Sequence, residues 1–281
     1  MQFWKMNGAG NDFILLNDLS RGLPDAALPE LARTVCQRHT HIGADGLMVV
    51  RPPEDAAADF RMLFYNADGS VGEMCGNGAR CICRYGYENG LAPRDAQRVE
   101  TDAGLVTGWY VDGTNWRVRL NDPAGVELDR HLDLEGERIP CSCAVVGVPH
   151  AAVEVQGLRE LEGEALDRLR ELGRKLRNHP SFPRGSNINF YELLGPDRVY
   201  LRTYERGVED FTYACGTGTG ATVLCLALRG LLPDHAEAEM RGGVLRVDVE
   251  REGREVKNLW LTGPTLVAAK GEIPEETLPR F

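Results

Sequence analysis

Short runs rich in β-branched and aromatic residues recur along the chain and predict strands over 12–17, 46–51, 60–65, 98–101, 105–111, 116–120, 143–148, 151–155, 187–193, 199–204, 244–250, 256–262 and 265–269. Helical spacing is confined to four stretches. Two are amphipathic: 28–39, and 164–178 with Leu166, Leu169, Leu172 and Leu176 on one side. Two follow glycine-rich turns: 79–87, closing near Gly90, and 221–231. The expected class is α+β, strand-dominated, with few alternating βα units.

The pattern repeats. Cys75-Gly76-Asn77-Gly78 is echoed by Cys215-Gly216-Thr217-Gly218, a lag of 215 − 75 = 140 in a chain of 281 residues. Phe64-Tyr65-Asn66 and Thr203-Tyr204-Glu205 match at 139, as do Gly104-Leu105-Val106 and Gly243-Val244-Leu245. Leu120-Asn121-Asp122-Pro123 and Leu261-Thr262-Gly263-Pro264 match at 141. Four matches in one order at nearly one lag imply two structurally similar domains. In each, a strand, a polar turn and Cys-Gly-x-Gly lead into a helix, which sets each cysteine at or just before a helix N-terminus.

Composition narrows the field. With 43% hydrophobic and 26% charged residues the chain is ordinary globular sequence, and 32 basic against 42 acidic residues give a net charge of −10. That balance argues against nucleic acid or an anionic membrane surface as partner. The opening Met1-Gln2-Phe3-Trp4-Lys5 shows no charged leader with an apolar stretch behind it, so a cytoplasmic protein is expected. The uncharged run Ala214–Leu228, which opens with glycine and threonine, falls short of the roughly 20 apolar residues a spanning helix needs. Cysteines at 36, 75, 81, 83, 141, 143, 215 and 225 are expected as free thiols.

A thiol at a helix N-terminus lies in the field of the first unsatisfied N–H groups, which favours its thiolate. Most cysteines are small buried hydrophobes, and Cys36, Cys81, Cys83, Cys141, Cys143 and Cys225 are read that way. Cys75 and Cys215 differ because each centres its half's repeat and precedes Gly-x-Gly, where a ligand can approach the backbone. A hydrolase needs one nucleophilic cysteine. Two thiols acting on opposite faces of one carbon suit a stereochemical inversion, in which one removes a proton and the other returns it. The helix N–H groups would then hold the adjacent carboxylate and stabilise the charge that develops.

The opening Phe3 to Phe13, the run Tyr65-Asn66-Ala67-Asp68-Gly69-Ser70 leading to Met74-Cys75-Gly76-Asn77-Gly78-Ala79-Arg80-Cys81, and Tyr204-Glu205-Arg206-Gly207 leading to Ala214-Cys215-Gly216-Thr217-Gly218 together resemble the diaminopimelate epimerase family. Pro149-His150 and Phe182-Pro183 followed by Asn187 extend the resemblance over most of the chain. It implies two similar pseudo-symmetric domains, each a strand-rich barrel-like layer around a central helix: residues 1–120 plus 265–281 with Cys75, and 121–264 with Cys215. It further implies a cofactor-independent, metal-free enzyme interconverting LL- and meso-diaminopimelate in lysine and cell-wall precursor biosynthesis. Cys75 and Cys215 would be the bases, and His150 and Glu205 the groups that hold them in the right protonation state. Asn11, Asn66, Asn187 and Arg206 would bind substrate, with Gly76, Asn77, Gly216 and Thr217 donating to the α-carboxylate. A guanidinium suits a second carboxylate on its own chemistry, and amides suit a zwitterionic end. The expected partner is the small-molecule substrate, with a homodimer left open. Three positions depart from the family pattern: Val148 where several members carry Asn, Gly46 where some carry Gln, and Phe211 where the residue is often acidic.

Rival readings remain at this stage. The same scaffold could racemise or dehydrate proline or hydroxyproline, or serve as a non-enzymatic thiol sensor or binding protein. Gly216-Thr217-Gly218-Thr219-Gly220-Ala221 matches a dinucleotide fingerprint formally, but its candidate strand stops well upstream at Tyr204. Cys36, His39 and His41 with the two Cys-x-Cys pairs do not have the spacing of a standard zinc site; Cys36 and His39 read as a helix's inward face and C-terminal turn. A pyridoxal cofactor is not expected, because Lys5, Lys175, Lys257 and Lys270 lie outside the motifs.

Overall fold

The structure is a computed structural model that describes residues 1–20, 22–72 and 75–278; Met74 of the motif above lies outside the described residues. The chain divides into two compact units, Met1–Val118 with Gly263–Phe281, and Arg119–Thr262. The first contains β1 (Gln2–Gly8), β2 (Asn11–Asn17), α1 (Leu28–Val35), β3 (Gly46–Arg51), β4 (Phe60–Asn66), α2 (Gly76–Glu88), β5 (Gln97–Thr101), β6 (Gly104–Asp112) and β7 (Asn115–Arg119). Neighbouring strands pair antiparallel except β2 with β3 and β4 with β5, which are parallel. Each parallel pair needs a crossover, and α1 and α2 supply them.

The second unit uses the same grammar. It comprises β8 (Ala124–Leu134), β9 (Glu137–Val146), β10 (Val148–Glu154), α3 (Gly163–Arg177), β11 (Asn187–Leu193), β12 (Arg198–Tyr204), α4 (Gly216–Leu228), β13 (His235–Met240), β14 (Gly243–Glu252) and β15 (Glu255–Pro264). Its parallel pairs are β10 with β11 across α3, and β12 with β13 across α4. The last strand, β16 (Leu266–Glu272), pairs antiparallel with β1 in the first unit, in the position that β8 takes beside β9 in the second.

Helix character decides position. α4 is apolar nearly all round, and of Gly216–Ala227 only Thr217 is not buried, so it lies inside, against β9, β10, β11, β13 and β14. α2 lies against β1, β2 and β6, with ten of its thirteen residues buried. α1 and α3 are amphipathic. α1 buries Leu28, Leu31, Ala32 and Val35, the i, i+3, i+4, i+7 stripe, over Ile14, Leu47 and Val49. α3 buries Leu169, Gly173 and Leu176 near Phe190 and Tyr204, with Leu166 and Leu172 half-buried at the margin. No helix among the described residues is long and apolar enough to cross a membrane.

Several element boundaries differ from the sequence-based expectation. α2 and α4 begin at Gly76 and Gly216 rather than 79 and 221, because the glycines are close-packed helical residues. A Cβ on Gly78 would lie 2.2 Å from Met48 Cε, and one on Gly218 2.2 Å from Asn189 Oδ1. α1 stops at Val35 with Cys36 as its C-cap, so His39, at φ 75°, lies beyond the helix and not in its last turn; Cys36 does face inward. Three strands escaped prediction. β1 breaks alternation at Lys5, which bonds the carbonyls of Ile42 and Gly43. β8 is largely exposed, so it lacks an apolar face. β13, His-Ala-Glu-Ala-Glu-Met, alternates with alanine as its inward residue, and alanine carries little β signal.

The period of β13 makes a stability prediction. Ala238 is wholly buried and Glu237 exposed in a loose pair with Arg198. Ala238→Glu would bury an unpaired carboxyl and is expected to cost several kcal/mol. Glu237→Gln should change stability by less than about 0.5 kcal/mol. Denaturant midpoints of both variants check the assignment, and equal losses would contradict it.

Candidate active site

Cys75 and Cys215 are the N-cap residues of α2 and α4, in extended backbone with φ −114° and −128°. Neither side chain caps its own helix. The first bonds along the two helices are Ala79 N to Cys75 O and Thr219 N to Cys215 O, both 2.8 Å. The N–H groups of Gly76 and Asn77, and of Gly216 and Thr217, precede them and are not used by the helix, which leaves two sets of donors at positive dipole ends. Cys75 is half-buried and Cys215 is buried; all eight cysteines are free thiols.

In the first unit the helix start is tied to the sheet through amides. Asn77 Nδ2 donates to Asn11 Oδ1 at 2.7 Å, and Asn11 Nδ2 donates to Asp45 Oδ2 at 3.2 Å. Asp45 and Asp12 are held by Arg38, whose Nη2 donates to Asp45 Oδ1 at 2.8 Å and to Asp12 Oδ1 at 2.6 Å. Asn66 ends β4 opposite Gly46, the first residue of β3, and its Nδ2 donates to Ser70 Oγ at 2.9 Å in the turn that follows. Asn66 thus shares a sheet end with Asn11, the first residue of β2, although no hydrogen bond joins the two.

In the second unit the corresponding sheet end carries His150 opposite Asn187 on the parallel strands β10 and β11. Asn187 Nδ2 donates to Cys215 Sγ at 3.8 Å, and its Oδ1 accepts from Arg206 N at 2.8 Å, so one buried amide links the thiol to the loop after β12. Thr217 Oγ1 lies 3.7 Å from Cys215 Sγ. Glu205 and Arg206 open that loop; Glu205 N donates to Asp210 O, and Arg206 Nη1 to Arg184 O at 3.3 Å. His150 is 1% exposed. Burial pushes its pKa down to about 3, against a bond with the Val146 backbone and with the nearby Arg206 charge adding to the shift, so the ring is neutral at physiological pH. Its Nε2 is buried without a hydrogen-bond partner among the described residues.

Two residues here carry no assigned role from the sequence. Asn189, fully buried, reaches His150 Nδ1 (3.4 Å) through Nδ2 and accepts from Thr203 Oγ1 (2.9 Å), while packing under Gly218. Arg80, also fully buried, donates to Gly76 O and Asn77 Oδ1. A charged residue between Ala79 and Cys81 on a buried helix was the available signal.

The three departures acquire physical content. A Cβ on Gly46 would meet Phe64 Cε2 at 2.5 Å and Tyr65 O at 2.8 Å, so the Phe64 ring occupies the space a longer side chain would need. Val148 is half-buried, pairs with Val146 and offers no polar group. Phe211 packs edge-on to Phe190 and Tyr204, both at 6.1 Å, with Arg170 over its ring, and so closes the 205–210 loop onto the core. The dinucleotide reading fails on geometry, because residues 205–215 separate β12 from α4. Lys5, Lys175 and Lys257 are in ion pairs, and Lys270 lies over Trp4 at 3.3 Å.

A family model described as diaminopimelate epimerase matches residues 3–124 and 142–266. A diaminopimelate epimerase of Aquifex aeolicus (strain VF5) is 36% identical over 288 residues, covering 99% of both chains. One of Methanothermobacter thermautotrophicus (strain Delta H) is 37% identical over 286 residues, covering 96% of this chain and 97% of the other. Among solved structures, a Bacillus anthracis phenazine biosynthesis protein of the PhzF family superposes with a TM-score of 0.72 at 15% identity, over 98% of this chain and 99% of that one. A probable proline racemase from Agrobacterium radiobacter K84 gives 0.70 at 20%, over 98% and 93%. The structural likenesses show a shared fold, and the sequence matches, spanning nearly the whole chain, show that it belongs to the diaminopimelate epimerase family.

Proposed function

We propose that the chain interconverts LL- and meso-2,6-diaminopimelate in the cytoplasm, as a step of lysine and cell-wall precursor biosynthesis, with Cys75 and Cys215 as its two bases and no cofactor. The observation that carries the mechanism is the repeated one: a thiol at the start of a buried helix in each unit, followed by N–H groups the helix does not use. One sulfur, as thiolate, removes the α-proton, and the other, as thiol, returns a proton to the opposite face. The electron pair left on carbon delocalises into the adjacent carboxylate. Donors from Gly76, Asn77, Gly216 and Thr217 meet that charge as it grows.

His150 and Glu205 are assigned to keeping the thiols in working protonation states, His150 as a neutral imidazole that burial keeps free of a second proton. Asn11, Asn66 and Asn187 offer paired donor and acceptor groups for an amino-acid end. Arg206 offers a planar fork for a carboxylate. A proline ring would ask instead for apolar closure.

Reduced protein in deuterium oxide should incorporate solvent deuterium at the α-carbon of LL- and meso-diaminopimelate and leave L-proline unlabelled. Labelling of proline alone would transfer the chain to the racemase reading. Cys75→Ala and Cys215→Ala should each lower epimerisation by at least about 10²–10⁴-fold while retaining a cooperative unfolding transition. Full turnover in either variant would sink the two-base assignment. The neutral His150 also predicts a pH dependence of stability. Its folded pKa lies below the unfolded value, so between roughly pH 6.5 and pH 3 the unfolded chain binds the extra proton and stability falls with pH. The loss should reach about 2 kcal/mol at pH 5 relative to neutral pH, and His150→Gln should lack that component. Parallel denaturant titrations of both proteins at the two pH values test it.

A further inference from the structure

Arg80 is the one charged side chain in the first two turns of α2, and it is wholly buried. Its Nη1 donates to Gly76 O at 3.1 Å and its Nη2 to Asn77 Oδ1 at 3.0 Å, while Nε is buried without a hydrogen-bond partner. Both acceptors are neutral, and among the described residues no carboxylate pairs with it. Burial pushes its pKa down to about 10, which still leaves the guanidinium charged at neutral pH. A buried charge facing only neutral partners is costly unless an anion offsets it.

The candidates for that anion are few. Among the described residues, the ionisable groups acting on Arg80 are the thiols of Cys81 and Cys75. Cys81 is wholly buried, and burial pushes its thiol up to about 12, so it stays neutral. On the strands packed against α2, Lys5 and Asp12 pair with each other and Asp12 with Arg38, while Asp112 on β6 accepts from Asn115. Arg84, one turn on, bonds Glu88 and the Thr265 carbonyl. Among the described residues Cys75 remains, half-exposed at the N-cap of the turn whose Gly76 carbonyl Arg80 holds.

We propose that Arg80 is a positioning residue whose buried guanidinium is the fixed countercharge of the Cys75 thiolate, and which through Asn77 also sets the amide that bonds Asn11. The proposal rests on the reading of Cys75 as a catalytic base. The repeat supplies an internal control. Position 80 + 140 = 220 is Gly220, where a Cβ would lie 2.5 Å from Leu120 Cδ1. The second helix therefore carries no charge at this place, and two sulfurs in the same helix field differ in what stands behind them. On this proposal the Arg80 charge favours the Cys75 thiolate, and α4 has no counterpart to it at position 220.

The test is alkylation of the reduced full-length protein by iodoacetamide, resolved by peptide mass spectrometry for Cys75 and Cys215 from about pH 5 to about pH 9. Cys75 should titrate below Cys215 in the unaltered protein. Arg80→Gln should raise the Cys75 midpoint by about one unit, slowing its alkylation about tenfold below the midpoint, with the Cys215 profile unmoved. Arg80→Lys should restore most of the shift, and the acid limb of kcat/KM should move with the Cys75 midpoint. A Cys215 that titrates at or below Cys75, or a Cys75 profile unmoved in folded Arg80→Gln, would overturn the proposal. If Arg80→Gln does not fold, the comparison of the two thiols in the unaltered protein and the Arg80→Lys profile decide. Because the titration needs no substrate, it stays separate from the functional reading, which fails instead if Cys75→Ala epimerises normally.

Discussion

A helix that begins inside a protein leaves its first N–H groups without an intrahelical partner, and both α2 and α4 begin inside. Much of each unit follows from where those starts are held. Gly78 packs on Met48 and Phe13, and Gly218 on Asn189, at distances that exclude a side chain. The glycine motif is thus a packing requirement within the first helical turn as much as a feature of a loop. Parallel pairing on both sides of β3 and β4, and of β11 and β12, brings the strand ends bearing Asn11, Gly46 and Asn66, or His150 and Asn187, to one end of their sheet. The residues of the proposed site are concentrated where backbone donors would otherwise be unsatisfied.

This explains which parts were legible in the sequence. The Cys-Gly-x-Gly repeat was visible because close packing and a thiol at an N-cap each demand particular residue types, and the same demand recurs 140 residues later. Strands with strong apolar alternation, such as β3 and β11, were visible for the same reason. β8 and β13 were not, since an exposed strand and an alanine-faced strand obtain their order from neighbours rather than from their own side chains. Arg80 and Asn189 were hidden more deeply. Asn189 matters through Thr203 and His150, which reach it from other strands, and nothing in Asn187-Ile188-Asn189-Phe190 says which amide meets the thiol and which meets the imidazole.

The departures show how side chains specialise a repeated backbone. Phe211 stands in a loop next to Glu205 and Arg206, yet its contacts are aromatic and point into the core. It holds the loop by packing, while Asn187 holds the same loop by a hydrogen bond to Arg206 N. Phe64 fills the space above Gly46 and also lies edge-on to Phe13, 5.9 Å away, so the first unit's sheet end is partly apolar where the second unit's carries His150 and Asn187.

In the proposed two-base inversion such asymmetry raises the share of protein that carries one thiolate and one thiol. With two independent thiols in identical surroundings, no more than about half of the free protein carries one thiolate and one thiol, the rest having both protonated or both ionised. A cation set behind one N-cap thiol, with no counterpart at the equivalent position of the other helix, favours ionisation of the first. The helix dipoles cannot make that distinction, since both sulfurs occupy the same N-cap position. Buried side chains can. The first unit places a guanidinium beneath the helix turn, and the second fills the equivalent place with Gly220 and Leu120 and keeps its imidazole neutral. The fold duplicates the frame, and the departures from duplication give the two N-cap thiols different surroundings.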